Sequence, residues 1–66
     1  MFIVADSYGH NNNGVTVNHG VTHKVYINRD MIQYINDKHK SIVTGFPSQE
    51  IYLTDDSYDK IIKICE

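Results

Sequence analysis

A single cysteine, Cys65, excludes an internal disulfide from this chain and suits a reducing compartment. A 66-residue chain buries only about 60% of its unfolded surface, so the missing disulfide matters. Domains this small commonly draw on a metal or a second subunit instead. One cysteine cannot build a zinc finger or ribbon, which leaves association as the expected supplement. A basic excess is lacking too: six Lys and Arg stand against eight Asp and Glu, a formal net charge of −2. Nucleic-acid binders normally carry a positive footprint, so no nucleic-acid partner is expected. Protonating all four histidines would turn the formal −2 into +2, so the chain should pass through zero net charge in mild acid. No apolar run nears the roughly 18 residues of a membrane helix. Asp6 interrupts the apolar start Met1–Ala5 before a signal-type core can form. The expectation is one cytoplasmic domain spanning residues 1–66, with no membrane partner.

Catalytic patterns are equally scarce. Glycines 9, 14, 20 and 45 fit neither Walker nor dinucleotide spacing. Cys65 falls at the end of an expected helix, where the dipole disfavours a thiolate, and reads as a core contact. Asp55 and Asp56 read as a helix start, not as facing acid and base in a cleft. Lys24, Arg29, Lys38, His39 and Lys40 read as solvated turn charges. No enzyme activity and no cofactor are expected. His19 and His23 have the i, i+4 spacing of two metal ligands on a helix. Gly20 and the β-branched surroundings favour strand instead, where i and i+4 lie about 13 Å apart. His10, His19 and His23 therefore read as solvated loop side chains, with no metal site. The alternative is a bent loop that gathers Asp6, His10, His19 and His23 into a His-based metal or small-ligand binder.

What the chain does have is alternation and turns. "FIVADSY" (Phe2 to Tyr8) is β-branched and aromatic and predicts an opening strand. "NNNG" predicts a turn, because Asn and Gly tolerate positive φ. "VTVN" predicts a short strand broken by "HG". "VTHKVYIN" predicts a longer one, with Val21, His23, Val25 and Ile27 on one face. Asn28 or Asp30 can cap a brief helical turn, and "MIQYIND" then fits either helix or strand; one turn leading into a strand is favoured. "DKHK" reads as a turn, "SIVTGF" as a strand, "PSQ" as a turn around the only proline and "EIYLTD" as a strand.

At the end of the chain, Thr54, Asp55 or Asp56 can cap a helix, with Asp59 in its first turn. Tyr58, Ile61, Ile62 and Cys65 form its apolar stripe, and Lys60 and Lys63 take the opposite face. The fold class that follows is α+β: a small antiparallel sheet of 4–5 strands with one C-terminal helix packed on one face.

From Lys24 onward the succession "VYIN", "MIQYI", "SIVTG" and "EIYLTDDSYDKIIKI" resembles the FlbD/SwrD family of small flagellar and swarming-motility proteins. The resemblance covers residues 24–64. It departs from the family where Gly9 to Gly20 replaces a tight turn, and where Phe46-Pro47 follows Gly45. It implies a small sheet and a non-enzymatic accessory role, and carries over no catalytic residue.

Five tyrosines in 66 residues point to protein contact, since Tyr is favoured at interfaces. Tyr8, Tyr26, Tyr34 and Tyr52 fall on expected strands, where some must occupy a face that one helix cannot cover. Gly9 to Gly20 reads as two short turns flanking "VTVN", a surface excursion of the kind that carries binding. Asn11, Asn12, Asn13 and His19 accordingly join Tyr8, Tyr26 and Tyr34 as expected partner-contacting residues. Deleting Asn11 to His19 should then spare folding, unless "VTVN" is a structural strand. The expected role is a small non-enzymatic protein-interaction module. Suitable forms are a phage or mobile-element regulator or inhibitor of a host protein, acting as a homodimer through exposed sheet edges. A motility accessory is the alternative that the resemblance implies.

Overall fold

The structure, a computed structural model, describes residues 1–45 and 48–66. Its elements are β1 (Phe2–Asn12), β2 (Val15–Asn28), a 3₁₀ turn (Arg29–Met31), β3 (Ile32–Asn36), β4 (Ser41–Thr44), β5 (Gln49–Leu53) and α1 (Asp55–Cys65). All strand pairs are antiparallel, in the order β2-β1-β5-β4-β3. This is the expected α+β architecture with five strands. The strand end at Phe46 and the turn around Pro47 lie outside the described residues.

Local rules account for the connections. Asn13 and Gly14 have φ of 54° and 83° and form a two-residue link between the paired Asn12 and Val15. That is the type I′ turn, whose twist matches the strands it joins. The Asn28 side chain accepts from the Asp30 N–H and caps the 3₁₀ turn, so "MIQYIND" is one turn leading into a strand. Asn36 Oδ1 accepts from the N–H groups of Lys38 and His39 and shapes the "DKHK" turn.

The 3₁₀ turn also fixes the sheet's shape. β2 and β3 are its two edges, yet only three residues join them. A flat five-stranded sheet would hold its edges about 19 Å apart, and three residues of 3₁₀ helix rise only about 6 Å. The sheet must therefore curl until its edges approach. The turn is tied on both sides, with Arg29 N–H donating to Met1 O and Gly45 N–H donating to Met31 O.

The concave side holds the core. Ile35, Ile42 and Ile51 stand opposite one another on β3, β4 and β5, and Ile3 opposite Ile27 on β1 and β2. α1 lays Tyr58 and Ile61 onto this surface, with Ile62, Ile64 and Cys65 packed at the margin. Lys60 and Lys63 face solvent, and Thr54 caps the helix by accepting from Ser57 N–H. The acidic residues of the first turn are Asp55 and Asp56; Asp59 follows them.

β5 ends opposite Ser7, so the first half of β1 has no strand on that side. The helix takes its place. Asp6 O accepts from Thr54 N–H at 3.1 Å, Asp6 N–H donates to Ser57 Oγ at 2.8 Å, and Lys60 Nζ donates to Val4 O at 2.8 Å. Backbone groups that would otherwise recruit another strand are thereby occupied.

Tyr58 ties the helix to the β3–β4 turn through its hydroxyl, which donates to Asp37 Oδ1 at 2.9 Å. Burial pushes the phenol above its ordinary value, and the Asp37 hydrogen bond and the charges of Asp37 and Asp59 add to the rise. The folded chain thus holds this proton more tightly than the unfolded chain. That contribution is intact below the ordinary tyrosine range and is lost as pH rises through the raised folded value. Tyr58→Phe removes this hydrogen bond and should lower the melting temperature at neutral pH. Its melting temperature should also fall less steeply than the wild type's above about pH 10. Parallel melting curves through that range would remove Tyr58 as the source of alkaline sensitivity.

Candidate functional site

A break in register at Tyr8 organises the outer face. Between the pairs Ser7↔His23 and Gly9↔Asn18, β1 has one residue, Tyr8, and β2 has four, His19 to Thr22. Against β5, Tyr8 is again extra: Ser7 faces Leu53 and Gly9 faces Tyr52, its neighbour. The buried Ser7 hydroxyl stitches this bulge, donating to Gly9 O at 2.9 Å and accepting from Gly9 N–H at 3.3 Å. A side chain on Gly9 would meet the carbonyl oxygen of Val17 at 2.7 Å, so the two strands can approach only because none is there.

The bulge turns Tyr8 outward, onto Tyr52, with ring centroids 6.1 Å apart and planes inclined by 23°. Tyr8, Thr16, Asn18, His39 and Tyr52 line a shallow cleft of about 250 Å³ beside Gly9.

Two apolar areas flank this cleft on the face that α1 leaves open. Val4 lies directly opposite Tyr26, and Phe2 follows on the same side of β1. Phe2 is 67% exposed and Tyr26 70%. On the far side Tyr34 pairs with Val43 and is 58% exposed. Between the areas Glu50 accepts from Ser41 Oγ, from Asn36 Nδ2 at 3.4 Å and from Tyr52 OH at 3.3 Å. Ser41 is fully buried.

The residues expected to contact a partner separate into groups. Tyr8, Tyr26 and Tyr34 share the open face. Asn11 pairs with Glu50 and lies on that side, half-buried. Asn12 pairs with Val15 and Gln49 on the opposite side, and its buried Oδ1 has no hydrogen-bond partner among the described residues. Asn13 stands at the exposed tip of the hairpin, and His19 lies in the β2 bulge.

The expected surface excursion is therefore corrected. β1 runs on through Asn12 with a strand on each side, and "VTVN" is its partner. Val21 also departs from expectation: it sits unpaired in the bulge, exposed, while Val25 and Ile27 of the same strand turn inward. Phe2, Val4 and Glu50 are contributors that the sequence reading left out, and Tyr52, named there as a strand tyrosine, joins Tyr8 on this face. The signal for the first two was alternation, since Ile3 and Ala5 in the core force their neighbours outward.

The three loop histidines do not lie apart. His10 and His23 share the concave side with Ile51 and Ser7, their cross-strand neighbours. His19 fits between them, its ring centroid 5.1 Å from that of His10 and 5.0 Å from that of His23. Gly20, at φ 79°, and the Asn18 side chain, accepting from Gly20 N–H at 3.3 Å, bend the backbone to bring this about. As the rings stand, no three His, Cys, Asp or Glu among the described residues are arranged to hold one ion. Among the described residues, no helix is long and apolar enough to cross a membrane. Comparison of the chain with protein-family models, with curated proteins and with solved structures yields no match.

Proposed function

We propose that this protein is a non-enzymatic interaction module that docks a protein partner on the sheet face opposite α1. The observation that carries the reading is the exposed block of Phe2, Val4 and Tyr26 on adjacent strands, with Tyr8 and Tyr34 further across. Interfaces of this kind combine an aromatic centre with a polar rim. Here the cross-strand pair Asp6 and Lys24 supplies one charge of each sign at the rim. The complement is a partner patch that is apolar at its middle and mixed in charge at its edge.

The accessible surface, 4409 Å², is close to the roughly 4300 Å² of a folded monomer of 7.6 kDa. That compactness supports docking on a folded surface over folding on contact. A regulator or inhibitor of a host protein, of phage or mobile-element origin and cytoplasmic, suits a chain of this size. A motility accessory, as the resemblance over residues 24–64 implies, would use the same face. Neighbouring genes separate these two settings. Self-association belongs to the proposal, through this face or through the outer edge of the 14-residue β2.

Phe2→Ser/Tyr26→Ser is the test. Both side chains are mostly in water already, so the melting temperature should stay within a few degrees of wild type, about ±0.5 kcal/mol per site. Light scattering at about 100 μM and capture from host lysate should both weaken, because exposed aromatic anchors carry most interface energy. A folded variant that keeps every wild-type contact would sink the proposal. So would a wild type that is strictly monomeric and captures nothing.

A further inference from the structure

The histidine cluster lies on the other side of the sheet and is independent of the docking face. Two imidazoles that share a tetrahedral metal each place their nitrogen about 2.0–2.1 Å from it, with the ring centre roughly 1.1 Å behind. At the tetrahedral angle, two such rings then have centroids about 5 Å apart. His10–His19 and His19–His23 stand at 5.1 and 5.0 Å. We infer that His10, His19 and His23 form a binding site for a divalent transition metal of the Zn²⁺ or Ni²⁺ class, with His19 as the shared ligand.

Two features support the assignment beyond distance. The backbone is built to deliver His19: four residues of β2 face one of β1, and the positive φ of Gly20 and the Asn18 side chain hold the bend. Among the described residues, none of the three rings hydrogen-bonds to another group of the protein. Each therefore has ring nitrogens free for a metal. In their present orientation the three rings do not converge on one ion. Binding consequently requires the rings to turn; His23 is exposed and His10 and His19 half-buried, and the turn breaks no hydrogen bond among the described residues. Neutral imidazole selects Zn²⁺, Ni²⁺ or Cu²⁺ over Mg²⁺ and Ca²⁺. Three protein ligands leave a fourth position for water, an open coordination. His39 lines the cleft with Tyr8 and Tyr52, apart from this cluster, and serves as the internal control.

The experiment uses tag-free full-length protein, stripped with chelator and titrated with Zn²⁺ and Ni²⁺ by calorimetry and thermal melting. One equivalent should bind and raise the melting temperature, and chelator should reverse both. His19→Gln should abolish saturable binding, and His39→Gln should leave it intact. ¹⁵N shifts of the imidazoles in wild-type protein identify the ligating rings even where His19→Gln misfolds. Movement confined to His10, His19 and His23 supports the site. The inference is overturned by absence of saturable binding in the wild type, by binding that survives in folded His19→Gln, or by shifts centred on His39.

Discussion

Ile42→Ala should abolish the cooperative thermal transition or lower it by tens of degrees. Ile42 is fully buried on β4, flanked on the same side by Ile35 of β3 and Ile51 of β5. Truncating a buried isoleucine removes its transfer energy and leaves a cavity, about 2–5 kcal/mol together. Collapse is hindered here, because both neighbours are held by strand pairing. A core of this size rarely supplies more than about 3–5 kcal/mol, so the loss is comparable with the whole stability. Each kcal/mol moves the midpoint of a small domain by about 4–8 °C. Ile42→Val, which removes one methylene, should cost only about 0.5–1.5 kcal/mol and keep a clean transition. Circular dichroism melts of the pair provide the check. An alanine variant that melts within a few degrees of wild type would show that this isoleucine row does not carry the core.

Deleting Asn11 to His19 should leave a chain without persistent structure, the opposite of what a surface loop would do. The deletion removes the end of β1, the whole I′ turn and the β2 residues that pair with Gly9 to Asn12. It also strips Gln49 and Glu50 of β5 of their partners on the β1 side. The end of β1 is paired on both sides, so its loss opens part of two ladders at once and leaves Gly9 and His10 without partners on the β2 side. Amide proton shifts crowded into the random-coil range would be the expected readout. Dispersed shifts and a cooperative melt would mean that β5 and α1 hold the remaining sheet without the far end of β1.

The proposed partner contact at the open face would depend on the same hairpin. Tyr8 is aimed at Tyr52 only because its bulge is stitched by Ser7 and permitted by Gly9. The site therefore sits on paired strands. Few internal degrees of freedom have to be lost when a partner docks there.

Several parts of this protein were legible before any coordinates. A helix cap among Thr54, Asp55 and Asp56, the stripe of Tyr58, Ile61, Ile62 and Cys65, the turn in "NNNG" and a brief helical turn capped from Asn28 or Asp30 each follow from interactions spanning no more than two or three turns of chain. Such rules act locally, so the sequence by itself determines them. The α+β class follows as well, because one amphipathic helix has to bury its stripe on the sheet.

Gly9 to Asn12 were not legible as strand. Gly and Asn are poor strand formers by side chain, yet these residues extend a central strand because β2 and β5 bond their backbones from both sides. The bulge opposite Tyr8, the curl forced by a three-residue link between sheet edges, and the meeting of His10, His19 and His23 all arise from pairings between distant segments. Backbone ladders carry no side-chain pattern that announces their register. Only the tertiary structure decided which exposed rings share a face, and which histidine rings stand together.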